Sequence, residues 1–498
     1  MGETSWKFES SRPHHLEPKP ILPTAHVRIQ GGEGATMATE NFGKEGHDRP
    51  EETYGLTDEI ERSVVEALEA EDKSRIRTLV ESLHAADLAD LVEHLTGDRR
   101  KTLLETLRPT LNAEVLARLD ETVREEVVEY LGPEEVAAAV VELESDDAVE
   151  VIQELDREEQ QEVLDAVPPE ERAILEKGLT YPEKSAGRMM QREMVVVPSY
   201  WNVGETIDFM READSLPQDF YDIFLVDPSH KPLGKIALSR LIRANRPVMV
   251  SDIMYQEPKT VPASMDQEEI GHLFRQYDLV SAPVVDEGGR LVGVITVDDV
   301  VDVIDEEAEE DIMKLGGVKE TDIYDAAINT TRSRFSWLFV NLFTAIIAST
   351  VIAFFDAEID KIVALAILMP IVASMGGNAG TQTLTVAVRA LAVKELTMTN
   401  AWQVIRKETL VGGFNGTLFA LLAGGVAWFW FGDPLLGGVL ALAMIVNLVV
   451  AGIAGAMIPI GLARSGVDPA VASGVFLTTV TDVVGFSSFL GLAALLLL

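Results

Sequence analysis

The sequence predicts a multidomain membrane protein with an α-helical N-terminal superhelix, a duplicated α/β module, a long acidic connecting helix and an all-α transmembrane domain with five spans. Three observations support this fold class. Apolar residues early in the chain recur at the spacing of short helices. The middle of the chain contains an internal repeat, and the last third is apolar in stretches long enough to cross a bilayer.

The net charge is distributed unevenly along the 498 residues. The chain carries 81 acidic and 41 basic residues, and residues 331–498 contain eight of each, so the whole net charge of −40 lies in residues 1–330. A neutral apolar block joined to a strongly acidic one indicates a membrane domain with a soluble attachment. The acidic block should attract cations and repel nucleic acid. The sequence contains no cysteine, which excludes disulfides and Cys-ligated zinc.

The N-terminal part of the chain is polar and then helical. Residues 1–50 are rich in Gly, Pro and His and have no apolar signal core, so we expect a disordered extension. Residues 56–182 have apolar positions three to five residues apart, as at Leu79, Leu83 and Leu88. This pattern predicts a small helical superhelix, and nothing in it indicates catalysis.

The duplicated module covers residues 183–247 and 248–304. The β-rich run Ile-Phe-Leu-Val-Asp that ends at Asp227 is echoed by Ala-Pro-Val-Val-Asp, which ends at Asp286. Each copy also contains an amphipathic helix between its β-rich runs. The pair resembles two tandem CBS domains, a regulatory module.

The second copy ends in Gly-Val-Ile-Thr-Val-Asp-Asp, which matches the Gly-x-x-Thr-x-x-Asp ending of many CBS domains. The resemblance implies that Thr296 and Asp299 contact the ribose of an adenine nucleotide, with ATP as the candidate modulator. Ala237 and Arg240 stand at these positions in the first copy, and no phosphate-binding P-loop supports the assignment.

A helix over residues 300–328 is predicted to connect this module to the membrane domain. Seven of the ten residues from Asp302 to Asp311 are acidic. Like charges three and four residues apart destabilise a helix unless something screens them. A solvated charged face is the ordinary explanation, but the position of this run favours divalent cations that bridge it to other carboxylates.

The membrane domain, residues 331–498, is predicted to have five nearly uncharged spans. They cover residues 335–355, 362–388, 409–432, 434–463 and 469–498. Basic residues precede the first span and lie between the second and third and between the fourth and fifth, whereas the other loops are acidic. The positive-inside rule therefore places the N-terminal domains in the cytoplasm.

The second predicted span is interrupted by polar and small residues. Pro370 is followed by a glycine-rich stretch that contains Asn378, Thr381 and Gln382. Such a stretch predicts an irregular helix that lines a water-filled path. Close packing of helices through small residues is the other explanation.

The fifth predicted span contains a carboxylate. Asp482 shares a helical face with Thr478, Thr479 and Gly485, and a charge at this depth normally faces a cavity or a partner. Arg389, near the end of a span, is the nearest candidate for a salt bridge. The scarcity of buried cations favours a cation pathway.

With these motifs, residues 56–498 resemble the MgtE family of Mg²⁺ channels. The most specific signals are the segment from Pro370 to Gln382 and the Thr-Asp pair at Asp482. The resemblance implies a homodimer in the cell (inner) membrane, with Asp482 of each subunit facing a pore on the two-fold axis and binding hydrated Mg²⁺. It also implies that the pore is flanked by Gly376, Gly377, Asn378 and Thr381.

The resemblance further implies that cytosolic Mg²⁺ closes the pore by bridging carboxylates of the N-domain, the CBS pair and the connecting helix. Glu150 stands where relatives can have aspartate. The matching positions in this sequence are Asp146, Glu150, Asp278, Asp299, Asp302, Glu307, Glu310, Asp311 and Asp468.

Three other functions are alternatives to a Mg²⁺ channel. A secondary transporter of another divalent cation, such as Co²⁺, Mn²⁺ or Ni²⁺, usually needs a second buried titratable residue, and Asp482 is the one that the sequence indicates. A metal-dependent enzyme would need a histidine, a nucleophile or a phosphate-binding loop beside its carboxylates. A CBS sensor with a passive anchor would need no intramembrane aspartate.

Overall fold

The computed structural model describes residues 55–108, 111–213, 216–217, 219–318 and 327–498. The predicted disordered extension over residues 1–50 lies outside this part of the chain. The described residues form a helical N-domain, two small sheets with their helices, a long connecting helix and a bundle of long apolar helices. This order confirms the predicted fold class.

Ten short helices form the N-domain, and their apolar faces meet in one continuous core. Side chains of Asp72, Asp120 and Asp156 accept hydrogen bonds from the first free backbone N–H groups of three of these helices, which fixes where each one begins. The helices are α1 Asp58–Glu69, α2 Lys73–Val80, α3 Ala85–His94, α4 Asp98–Leu107, α5 Ala113–Ala117, α6 Glu121–Leu131, α7 Pro133–Glu142, α8 Ser145–Gln153, α9 Arg157–Ala166 and α10 Pro169–Leu179.

Three arginines separated by multiples of 24 residues give the N-domain a regular repeat. Arg100, Arg124 and Arg172 each donate to the carbonyl oxygen five residues earlier, at the end of the preceding repeat. The first two are buried, and their other N–H groups reach acidic side chains of the next repeat. Ala148 stands at the position where the series would place another arginine, in α8.

The duplicated module forms two sheets with the same topology. In each sheet the first strand is parallel to the second, and the second is antiparallel to the third. The pairing of the second and third strands has a bulge at the equivalent position in both sheets, at Leu225–Val226 and at Val284–Val285. The first sheet consists of β1 Val195–Pro198, β2 Asp222–Val226, β3 Pro232–Ala237 and β4 Tyr255–Gln256, and the second of β5 Val261–Pro262, β6 Ser281–Val285 and β7 Leu291–Thr296. The accompanying helices are α11 Val203–Glu212, α12 Leu238–Ile242, α13 Val250–Ile253 and α14 Gln267–Tyr277.

The two copies are interlocked through the segments that precede them. Met190, which precedes the first sheet, packs against Gly293 of the second, and Met254 packs against Gly234 of the first. A Cβ at either glycine would lie 2.6 Å from the methionine sulfur, so neither position has space for a side chain. The CBS pair therefore holds together through reciprocal contacts of the same kind.

The connecting helix α15 runs over Val297–Gly316 without a break after β7. The prediction of one helix over residues 300–328 is wrong at its C-terminal end. Gly317 has φ of 70° and donates to carbonyl oxygens of the last turn, which is a helix-terminating conformation that favours glycine. Its Cα faces the indole of Trp337, 2.1 Å from where a Cβ would stand. Residues 319–326 lie outside the described residues.

Five helices of the described chain are long and apolar enough to cross a membrane, as predicted. The helix between Pro434 and Arg464 is the most buried of the five. The helices of this domain are α16 Ala327–Ala353, the short α17 Asp356–Lys361, α18 Ala364–Ala392, α19 Ala401–Phe431, α20 Pro434–Arg464 and α21 Pro469–Leu496.

The second span is one unbroken helix, so the predicted irregularity after Pro370 is wrong. A proline removes one backbone donor, and a long helix packed between neighbours tolerates that loss. The glycines of this stretch serve close packing instead. Gly380, for example, is buried and lies against Leu477 of α21.

Candidate ion pathway and regulatory contacts

Asp482 lies half-buried in α21, in the middle of the helix that packs on α18. Among the described residues its carboxylate makes no hydrogen bond or ion pair, with Arg389 or with any other base. A carboxylate within a span is costly unless water, an ion or another chain meets it. The geometry therefore leaves Asp482 available to a cation.

The four residues predicted to flank Asp482 lie on different faces of α18. Asn378 and Thr381 are exposed in the single chain, and no other helix among the described residues comes within 4 Å of where a Cβ on Gly377 would stand. Thr381 donates to the carbonyl of Gly377 one turn earlier. Gly376 is buried and faces the side chain of Asn447 in α20, a packing role that the sequence interpretation missed.

Two buried polar residues of the membrane domain were missed by the sequence interpretation. Asn447 is fully buried at the centre of α20. Glu408 is buried in the second turn of α19, where Thr383 of α18 donates to it over 3.1 Å. Because α19 begins at Ala401, Glu408 belongs to the helix and not to the loop before a span at residue 409. The statement that Asp482 is the one buried titratable residue is therefore wrong.

The N-domain meets the connecting helix at four aspartates, Asp146 and Asp147 of α8 and Asp298 and Asp299 of α15, which we call the aspartate contact. Asp146 is 8% exposed, and its Oδ2 has no hydrogen-bond partner among the described residues. Burial, and then the charge of Asp299, raise the pKa of Asp146 well above its usual range. Burial likewise raises the pKa of Asp299.

The charge of Arg118 acts at the edge of the aspartate contact. Burial raises the pKa of Asp147 to about 6 and raises that of Asp302, while the charge of Arg118 partly opposes both shifts. No group of three or more acidic or histidine side chains in the described residues is already arranged to hold a metal ion. The buried, unpaired oxygen of Asp146 nevertheless fits a hard cation, which carboxylate oxygens prefer to bind.

At its other end, the connecting helix meets the start of α21 through Lys184, Glu310, Lys314 and Asp468, which we call the lysine contact. Glu310 accepts from Lys184 over 2.6 Å and also from Lys314, and Lys314 lies 2.9 Å from Asp468. Burial alone would raise the pKa of Glu310, but these hydrogen bonds lower it. Asp468 also caps α21, since it accepts from the backbone N–H of Ala470.

Asp311 lies beside the lysine contact. Burial, and then the charge of Asp468, raise the pKa of Asp311, and Lys314 opposes this shift. The structure thus places Asp311 and Asp468, two of the predicted regulatory residues, near each other, and the ammonium group of Lys314 lies near both.

Three other predicted regulatory carboxylates have different surroundings. Glu150 pairs with the buried Arg124 over 3.2 Å. Glu307 accepts from Gln267 over 2.7 Å. Asp278 is exposed at the left-handed C-cap of α14. Glu150 nevertheless lies close enough to Asp147 for its charge to help raise the pKa of that residue, and the charge of Glu307 acts in the same way on Asp311.

The two residues predicted to bind ribose are hydrogen-bonded to each other. Thr296 donates to Asp299 over 2.8 Å, and Thr296 is buried at the start of α15. Asp299 belongs to the aspartate contact at the same time. A nucleotide would therefore compete with the N-domain for this carboxylate.

Three sequence models of known families match parts of this chain. A model described as the divalent cation transporter MgtE matches residues 369–492. A model of the MgtE intracellular N domain matches residues 83–184, and a CBS-domain model matches residues 250–306.

Curated relatives are similar over most of their length. The chain is 38% identical over 341 residues to the magnesium transporter MgtE of Thermus thermophilus, which is 68% of this chain and 75% of that protein. It is 33% identical over 316 residues to the magnesium transporter MgtE of Bacillus subtilis, 63% of this chain and 70% of that protein. A solved structure of the cytosolic domain of the Mg²⁺ channel MgtE in complex with ATP is 35% identical, with a TM-score of 0.46, and covers 49% of this chain and 99% of that one.

Proposed function

Because this chain belongs to the MgtE family of magnesium transporters, we propose that it is a Mg²⁺-selective channel, closed by cytosolic Mg²⁺ and active as a homodimer in the inner membrane. The protein is a multi-pass membrane transporter and not an enzyme. Its N-terminal domains face the cytoplasm, where they sample the Mg²⁺ concentration that the channel supplies.

The observation that carries the pore assignment is the unpaired carboxylate of Asp482 at the middle of a span. Mg²⁺ gives up its water reluctantly, so a fast pathway should hold the hydrated ion through outer contacts. Two copies of Asp482 on a symmetry axis, beside the amide of Asn378 and the hydroxyl of Thr381, offer such contacts. Selectivity then depends on the charge and size of the hydrated ion.

The aspartate contact supports the proposed gating. Without Mg²⁺ its carboxylates repel one another, and with Mg²⁺ the repulsion is replaced by attraction to a shared cation. For Mg²⁺ to close the channel, it must bind the closed arrangement more tightly than the open one. ATP would modulate this equilibrium through Asp299, because the nucleotide and the N-domain use the same carboxylate.

The test is Mg²⁺ influx into proteoliposomes that contain the full chain. Asp482→Asn keeps the shape of the side chain and removes its charge, and we expect influx to fall at least about tenfold, the equivalent of about 1.4 kcal/mol. Asp433→Asn is the matched control, because asparagine retains the cap that Asp433 gives to the N–H groups of Leu435 and Leu436. Undiminished influx through Asp482→Asn, with the control active, would exclude the pore assignment.

Glu408 favours a second candidate, a transporter that couples a divalent cation to a proton gradient. Its buried carboxylate, bonded to Thr383, is the second titratable group that such coupling usually needs. The two mechanisms differ in their driving force. Influx that follows membrane potential alone, and is unchanged in Glu408→Gln, supports the channel. Influx that follows an imposed proton gradient, and is lost in that variant, supports the transporter.

A further inference from the structure

Asn447 is a polar side chain in the most buried helix of the bundle. It is fully buried in α20, its Nδ2 donates to the carbonyl of Val372 in α18 over 2.8 Å, and its Oδ1 has no partner among the described residues. A buried amide with half of its hydrogen-bonding capacity unused destabilises the bundle, and an apolar side chain there would avoid this cost. Polar groups at such positions in membrane proteins usually serve function.

The amide of Asn447 lies between two glycines on different helices. A Cβ added to Gly376 of α18 would stand 2.1 Å from Nδ2, and one added to Gly485 of α21 would stand 2.8 Å from the same atom. Separations below 3.0 Å do not occur between such atoms. Both helices therefore come as close to Asn447 as their backbones allow.

These glycines lie next to the candidate pore residues. Gly485 follows Asp482 by three residues, and Gly376 precedes Asn378 by two, so each is within about one helical turn of the group that meets the ion. The width of the Asn447 side chain consequently sets how far Asp482 and Asn378 stand from each other.

We propose that Asn447 is a positioning residue for ion selection, because its amide acts as a spacer that fixes the separation of α18 and α21 at the level of Asp482. This inference rests on the proposed pore. A hydrated ion is selected by the size of the path, so a change in the separation should alter the preference between Mg²⁺ and the larger Ca²⁺ more than it alters folding.

The experiment is a size-swap cycle measured by influx into proteoliposomes. Gly376→Ala should reduce Mg²⁺ influx about tenfold, since its methyl group collides with the amide, and Asn447→Ala should make room for that methyl. The double variant should recover influx to nearly the value of Asn447→Ala alone. Gly438→Ala, at an exposed glycine of α20 with no atom within 4 Å, is the matched control and should behave as wild type.

The ratio of Mg²⁺ to Ca²⁺ influx distinguishes a positioning role of Asn447 from a role in stability alone. Asn447→Ala should lower the ratio of Mg²⁺ to Ca²⁺ influx several-fold, while its melting temperature, measured in the same detergent, changes in either direction. An unchanged ratio, or a double variant whose losses simply add, would overturn the inference. Failure of the pore itself is recognised separately, because Asp482→Asn would then retain its Mg²⁺ influx.

Discussion

The connecting helix α15 touches its neighbours at two ends, and the two contacts balance their charges differently. At its N-terminal end, the aspartate contact brings together four carboxylates, and the pKa of the buried Asp146 is raised by burial and by Asp299. At its C-terminal end, the lysine contact places the ammonium groups of Lys184 and Lys314 against Glu310, whose pKa is lowered by their hydrogen bonds. Arg118 acts only on Asp147 and Asp302 at the edge of the first contact, whereas the second contact contains two ammonium groups.

This difference teaches where a dissolved cation can act. Divalent ions change an equilibrium only where they bind one state better than the other. The aspartate contact gains attraction when Mg²⁺ enters, so its closure should depend on the Mg²⁺ concentration. The lysine contact is already neutralised by the chain, so it should hold the connecting helix to α21 with or without Mg²⁺.

The largest expected effect is on the aspartate contact. Asp146→Asn removes the buried charge that Mg²⁺ would bind, so the cytosolic Mg²⁺ concentration that halves influx should rise about tenfold, or about 1.4 kcal/mol. Glu126→Gln is the control, because Glu126 pairs with the buried Arg100 in the preceding repeat. It should leave that half-inhibiting Mg²⁺ concentration unchanged and cost at most about 1 kcal/mol of stability.

The Mg²⁺ dependence of influx checks this prediction in inside-out vesicles, where the cytosolic side is accessible. Equal shifts in Asp146→Asn and Glu126→Gln would contradict the distinction between a free and a paired carboxylate.

Lys314→Gln should make the lysine contact resemble the aspartate contact, and its effect on influx should be smaller than that of Asp146→Asn. Without this ammonium group, Asp311 and Asp468 lose the base between them and Glu310 keeps only Lys184, so this end should become dependent on Mg²⁺ as well. We expect increased influx at low Mg²⁺, by several-fold, and normal closure at high Mg²⁺. Lys314→Arg keeps the charge and should resemble wild type.

If Lys314→Gln fails to close at any Mg²⁺ concentration, then Mg²⁺ cannot replace the missing ammonium group. The lysine contact would then not be equivalent to a neutralised version of the aspartate contact.

The smallest effect is expected for Lys184→Gln. The side chain of Lys184 is about half exposed, and such ion pairs contribute roughly 0 to 1 kcal/mol. Influx at low Mg²⁺ should therefore rise by no more than about fivefold, in the same direction as for Lys314→Gln. An effect larger than that of Lys314→Gln would show that Lys184, and not Lys314, holds this end of the helix.

The fold was predictable wherever a signal is summed over many residues. Five apolar stretches gave the five spans, and the repeated runs around Asp227 and Asp286 gave the duplicated sheets. Single-residue effects were less predictable. Pro370 suggested an interrupted helix and α18 is continuous, whereas Gly317 ends α15 before the predicted residue 328. Packing decides both outcomes, and packing partners are distant in sequence.

The residues of the candidate site could be predicted from the sequence, but the side chains with which they pair could not. The family resemblance singled out Asp146, Asp299 and Asp468, but it did not reveal that Arg124 engages Glu150 or that Lys314 reaches Asp468. Asn447 could have been noticed as an amide in an otherwise apolar span. Its two glycine neighbours lie on other helices, so their relation is visible only in the folded chain.

In the gating that we propose, Mg²⁺ acts at the aspartate contact and not at the lysine contact. Hydrogen–deuterium exchange of the full-length protein, titrated with Mg²⁺ at constant ionic strength, measures both contacts in one sample. We predict that exchange in α8, over Ser145–Gln153, slows as Mg²⁺ rises and that this response disappears in the double variant Asp146→Asn and Asp299→Asn. Exchange at the start of α21 should not change. If α8 fails to respond in the wild type, or responds with the same midpoint in the double variant, the claim is contradicted.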